Sequence, residues 1–102
     1  MIKNLEELKK LIQEQECFLL LLQTTWCPMC RIMENTLYEF SEIHNIPLYQ
    51  VNIEEAKDIR RYFKIDATPN LYIYKNHQIF SSIIGNHDLE EIEKLYSGAK
   101  EN

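Results

Sequence analysis

The chain has 102 residues, 45% of them hydrophobic, and a formal net charge of −5. That length suits a single domain, expected over residues 1–102, burying roughly two-thirds of its unfolded surface around one core. The acidic balance provides no basic stripe to meet phosphates, and the apolar runs fall far short of the ~20 residues of a membrane span, so neither nucleic acid nor membrane is an expected partner.

In chain order, Asn4 is a helix cap with Glu7 three residues on, a box-like start signal. Leu5, Leu8, Leu11 and Ile12 form the buried stripe of the helix that follows. Cys17-Phe18-Leu19-Leu20-Leu21-Leu22-Gln23 is short, apolar and the right length for a buried strand. A second helix is predicted over about 28–44, with Met29, Met33, Leu37 and Phe40 at helical spacing and Ile32 and Ile43 alongside. Pro47 opens a strand over about 48–53, and a short helix over about 55–63 buries Ala56, Ile59 and Phe63. Leu71–Tyr74 and Gln78–Ile84 are β-rich runs joined at Asn76-His77, a two-residue hairpin signal. Gly85 breaks the second run. Asp88 with Glu91 starts a last helix, faced by Leu89, Ile92, Leu95 and Tyr96, and Gly98 stops it. The order is αβαβαββα. It describes an α/β fold in which a mixed four-stranded sheet carries helices on both faces: the strands joined by a helix pair parallel, and the final two pair antiparallel because their connection is too short for a crossover.

The segment Trp26-Cys27-Pro28-Met29-Cys30 carries the chemistry. Pro28 fits the first helical position, where its missing N–H is no loss, and this makes Cys27 the N-cap. An N-cap side chain faces the free N–H groups two and three residues on, here those of Met29 and Cys30. Those donors and the positive end of the helix dipole stabilise a sulfur anion, and the thiolate is the species that attacks disulfides. A structural zinc site would need four ligands, and Cys17, His44, His77 and His87 offer no such spacing. No metal or prosthetic group is implied. The start of the chain runs straight into an amphipathic helix and does not resemble a signal peptide, so a cytoplasmic setting is expected. There, three cysteines are not a disulfide scaffold, and a CxxC points to redox work. Cys17, at the far end of its strand, is expected to lie beyond bridging distance of Cys27 as a buried small hydrophobe. Trp26 reads either as a core aromatic or as part of a site. Met29 is either incidental or an adaptable docking side chain. The three histidines read as surface residues, and Arg31 as solvated.

With strand, WCxxC and helix followed by Thr68-Pro69 and a hairpin at Tyr74-Lys75-Asn76, then Gly85 before the last helix, residues 17–97 resemble the thioredoxin family. The resemblance implies a thioredoxin fold with sheet order second strand, first, third, fourth. The family's extra N-terminal strand is expected to be absent. It implies a protein-disulfide reductase in which Cys27 is the nucleophile and Cys30 the resolving thiol. Thr68-Pro69 is expected to be cis, and Trp26, Pro28, Met29, Thr68, Pro69 and Gly85 are expected to frame the substrate surface. Disulfide-containing proteins would be the substrates, a thioredoxin reductase the electron donor, and a monomer the acting species. Departures from the pattern are Pro-Met between the cysteines, Leu21 in place of a buried aspartate, Gln50 in place of its lysine, and Asn35 in place of a helix-kinking proline. Pro28 suggests a glutaredoxin-like, glutathione-coupled alternative, weakened by the lone Gly85 where a Gly-Gly turn is expected. A redox-sensing adaptor is the third reading.

Overall fold

Six consecutive residues, Phe18–Gln23, form the central strand β1, and every one is buried. A strand covered on both faces needs a continuous apolar run in place of alternation, which is what Phe18-Leu19-Leu20-Leu21-Leu22 supplies. The computed structural model describes residues 1–98, so the last four residues of the domain expected over 1–102 lie outside the described residues. Around β1 are α1 (Leu5–Glu14), α2 (Pro28–His44), β2 (Leu48–Asn52), α3 (Lys57–Phe63), β3 (Asn70–Lys75), β4 (Gln78–Ile84) and α4 (Leu89–Ser97). β1 pairs parallel with β2 and antiparallel with β3, which pairs antiparallel with β4. The sheet order is β2-β1-β3-β4, as expected.

Alternate residues of β1 feed two cores. Phe18, Leu20 and Leu22 pack with Leu8 and Leu11 of α1 and Ile59 of α3. Leu19 and Leu21 pack with Met33, Leu37 and Phe40 of α2 and Ile92 of α4. Helices therefore cover both faces. Asn4 caps α1 by accepting from the Glu7 N–H at 2.9 Å. The reciprocal bond differs from a capping box, because the Glu7 carboxylate accepts from the Lys3 N–H instead. Asp58 reaches from α3 to accept the Leu5 N–H at 2.8 Å, fixing α1 against α3. Before α1 the described residues hold no strand, only an isolated parallel bridge from Ile2 to Val51 on β2.

α2 runs unbroken over 17 residues, consistent with Asn35 standing where a proline would kink it. Ile32 and Ile43 do not join its buried face; they are exposed, while Cys30, Met33, Leu37 and Phe40 are buried. Phe63 is only half-buried. Asn76 and His77 both have positive φ, the signature of a I′ hairpin turn. Histidine is tolerated there because its N–H donates to the Glu16 carbonyl at 3.1 Å and its Nδ1 meets the Ile12 carbonyl at 2.7 Å. Of the three histidines read as surface residues, His77 is exposed, whereas His44 and His87 are half-buried. His44 stacks on Phe40 and bonds Glu93 of α4, and His87 bridges two elements. Cys17 is half-buried, with its thiol 3.9 Å from the Tyr96 hydroxyl, so it is less enclosed than a core hydrophobe. Burial and that contact push the Tyr96 hydroxyl pKa up.

Candidate active site

The end of β1 and the start of α2 meet at Trp26-Cys27-Pro28-Met29-Cys30. Cys27 has extended backbone and is the N-cap of α2, with Pro28 in the first turn. Its sulfur accepts from the Cys30 N–H at 3.1 Å. Of the two donors expected, Cys30 therefore supplies the bond. The Cys27 carbonyl accepts from the N–H groups of Cys30 at 3.0 Å and Arg31 at 3.3 Å, closing the first turn. Cys30 sits one turn in, on the helix face that also buries Met33, and is fully buried, while Cys27 is partly exposed. Their Cα atoms are 5.1 Å apart and the two sulfurs are bonded. The spacing lies within the ordinary window for a disulfide.

Thr68 faces this pair from the loop before β3. Its hydroxyl lies 3.7 Å from the Cys27 sulfur and 3.4 Å from the Thr24 hydroxyl. The Thr68-Pro69 bond is cis. The Pro69 carbonyl accepts from the Gly85 N–H at 2.8 Å, bringing the end of β4 to the same rim. Gly85 has φ +88°, a conformation that side chains other than glycine rarely adopt. Trp26 is not a core aromatic, being 90% exposed, and Pro28 and Met29 are exposed beside it. A groove of about 380 Å³ is lined by Thr25, Trp26, Cys27, Pro28 and Arg31. Leu21 is fully buried beneath α2, so no carboxylate stands at that core position.

Several residues at this end were not singled out by sequence reasoning. Thr25 is a hub. Its N–H donates to Glu54 at 2.9 Å, its hydroxyl accepts from Asn52 at 3.0 Å, and its carbonyl accepts from Arg31 at 2.9 Å. Arg31, read as solvated, is therefore tethered to the loop that carries Trp26, and it lies 4.0 Å from Glu34. The available signal was that parallel neighbours β1 and β2 both end in a carboxamide, Gln23 beside Asn52. The Gln23 carboxamide oxygen is buried and has no hydrogen-bond partner among the described residues. Ile84, next to Gly85, exposes 62% of its surface at the rim and was read only as strand.

The description of the family named Thioredoxin matches residues 1–97. The chain belongs to the thioredoxin family. A thioredoxin from Coprinus comatus is 32% identical over 87 residues, covering 82% of each chain. The mitochondrial thioredoxin-3 of Saccharomyces cerevisiae is 25% identical over 85 residues, covering 82% of this chain and 67% of its own. The crystal structure of that yeast protein in its oxidised form superposes with a TM-score of 0.86 at 23% identity, over 96% of this chain and 92% of that one, which shows the shared fold. Thioredoxin membership with a Cys27–Cys30 pair makes this protein a thiol–disulfide oxidoreductase, acting on protein disulfides. Among the described residues, no helix is long and apolar enough to cross a membrane.

Proposed function

We propose that this thioredoxin-family protein reduces disulfides of cytoplasmic protein substrates as a monomer and is itself reduced by a thioredoxin reductase, contributing to electron transport and cell redox homeostasis. The observation that carries this reading is the asymmetry of the two sulfurs: Cys27 is partly exposed with a backbone N–H on its sulfur, and Cys30 is fully buried one turn behind. The Cys27 thiolate attacks one sulfur of a substrate disulfide. An S–S bond to Cys27 forms, the substrate S–S bond breaks, and the departing thiolate takes a proton from water. Cys30 then gives up its proton and attacks the Cys27 sulfur, releasing the second substrate thiolate and leaving the Cys27–Cys30 disulfide. The two electrons that reduced the substrate have come from the dithiol, and the reductase returns them.

Trp26, Pro28, Met29, Thr68, Pro69 and Gly85 form the docking surface in this reading. Backbone groups beside Thr68 accept an extended substrate segment by short strand pairing, and the exposed apolar side chains hold its flanks. Insulin reduction driven by NADPH and a thioredoxin reductase, run beside a glutathione-coupled assay, tests the assignment. Turnover with the reductase and little with glutathione is expected. The reverse result supports the glutathione-coupled alternative, and turnover in neither supports an adaptor.

A further inference from the structure

His87 stands between the docking rim and α4, and both of its ring nitrogens face acceptors. Nδ1 lies 2.8 Å from a Glu91 carboxylate oxygen, and Nε2 lies 2.8 Å from the Ile84 carbonyl. A neutral imidazole has one N–H and one lone pair, so it can satisfy only one of these oxygens; the imidazolium donates to both. We propose that His87 is a positioning residue for protein substrates: in its protonated form it clamps the Ile84–Gly85 backbone of the docking rim to the first turn of α4. The inference rests on the docking surface proposed above.

The frame around His87 is fixed. Asp88 caps α4 and accepts from the Glu91 N–H at 2.9 Å, while Glu91 accepts from the Asp88 N–H, a complete capping box. Glu91 thus uses one carboxylate oxygen on the cap and the other on His87. Beyond the ring, the Ile84 carbonyl belongs to the residue preceding Gly85, whose N–H holds the Pro69 carbonyl. The chain of contacts runs from Glu91 through His87 to Ile84, Gly85 and Pro69, ending beside Thr68 and the Cys27 sulfur.

The charges acting on the ring come from α4 and its cap. The carboxylates of Glu91 and Asp88 act on it, while the Glu90 carboxylate is turned to Lys94 at 3.7 Å. Glu91 and Asp88 outweigh the positive end of the α4 dipole, which alone would disfavour a cation there. The Glu91 hydrogen bond and then the Ile84 carbonyl raise the His87 pKa above its ordinary 6.5. The clamp is complete below that ordinary value and is lost as pH rises through the raised one. On deprotonation the single remaining N–H favours the charged carboxylate, since charge-assisted bonds are the stronger. The Ile84 carbonyl is then released.

The test uses pre-reduced protein in single turnover, with insulin as the protein disulfide and 5,5′-dithiobis(2-nitrobenzoate) as a small disulfide that does not need the rim. Dividing the two second-order rate constants cancels the ionisation of Cys27. As pH rises from 6 to 9, the ratio in the wild type is expected to fall about threefold to tenfold, the effect of one hydrogen bond. The fall should appear in the half-saturating insulin concentration and leave the maximal rate unchanged. His87→Gln should show the high-pH ratio throughout. By NMR, the Gly85 amide and the His87 ring should titrate with one midpoint, and Glu91→Gln should lower it. The proposal is overturned if His87→Gln follows the wild-type profile, or if the Gly85 amide ignores His87. Failure of the docking reading looks different: the wild type would then reduce the small disulfide but not insulin at any pH.

Discussion

Leu21→Asp puts a carboxyl at a core position beneath α2 where this chain carries none. Leu21 is fully buried among Leu19, Met33, Leu37 and Leu71. Removing a buried leucine side chain costs about 2–5 kcal/mol, and an unpartnered buried polar group adds about 1–3 kcal/mol. The substitution should therefore cost at least about 3 kcal/mol, against a total of ~5–15 kcal/mol for a domain of this kind. At ~4–8 °C per kcal/mol, the melting temperature should drop by about 12 °C or more. Burial favours the protonated form, so the introduced carboxyl's folded pKa rises above its unfolded value of ~3.9. The destabilisation is then smallest below about pH 4 and grows as pH climbs towards the folded pKa. Urea unfolding of wild type and Leu21→Asp at pH 4 and pH 8 measures both effects. A cost below about 1 kcal/mol, or one that does not change with pH, would refute the reasoning from burial.

The same variant should gain in chemistry. The thioredoxin resemblance places a buried aspartate at position 21, where a carboxylate could take the proton of the resolving thiol, and Leu21 cannot. Resolution of mixed disulfides should therefore be slower above neutral pH in the wild type and faster in Leu21→Asp, while the neutral control Leu21→Asn should show no acceleration. Stopped-flow decay of a preformed mixed disulfide reads this directly. A base ionising between ~pH 6 and 9 in the wild type, surviving replacement of the histidines and Cys30, would show that another group does the work. Glu54, bonded to the Thr25 N–H, and Glu34, beside Arg31, would then be substituted first.

Cys27→Ser should abolish insulin reduction, whereas Cys30→Ser should still attack and accumulate substrates as mixed disulfides on a non-reducing gel; capture by the first variant alone would reverse the roles. The alkylation rate of Cys27 against pH should have its midpoint within the ~3.5–7.5 range of thiols at helix N-termini, and a midpoint at or above ~8.5 would count against the N-cap argument. Gln23→Leu removes a buried oxygen that has no hydrogen-bond partner among the described residues and should stabilise the oxidised protein by about 1–2 kcal/mol in urea unfolding; a loss of stability would count against the unpartnered oxygen as a cost.

The sequence disclosed most where a local rule decides the outcome. The continuous apolar run of β1, the αL pair at Asn76-His77 and the caps at Asn4, Cys27 and Asp88 are set by neighbours in the chain. Ile32 and Ile43 show how apolar character alone misleads. At 100° per residue they fall roughly 100° or more from the centre of the Cys30–Met33–Leu37–Phe40 stripe, so their exposure follows from the helix geometry. The polar support of the site was not legible, because its partners are remote in sequence. Thr25 draws on Asn52 and Glu54, 27 and 29 residues away. His44 acquires its role only when α4 packs on α2 and brings Glu93 to it, 49 residues on. No periodicity encodes such pairs; they are products of the sheet register and of helix packing.

That division explains how the site tolerates Leu21 and Gln50. The Cys27 sulfur draws its stabilisation from the Cys30 N–H and the α2 dipole, both fixed by backbone that any sequence capable of forming this cap would supply. Arg31 cannot substitute as a freely placed cation, because its guanidinium is committed to the Thr25 carbonyl. With Gln50 bonded to the Tyr38 hydroxyl rather than carrying a charge, position 50 holds no lysine that would need a buried acid as partner. With position 50 half-buried and uncharged, an acid at the fully buried position 21 would stand unpaired, the costly state for a buried ion, and Leu21 avoids it. What such a pair would contribute is proton transfer at the resolving step, and that is where the chemistry of this chain should depart from relatives that keep it.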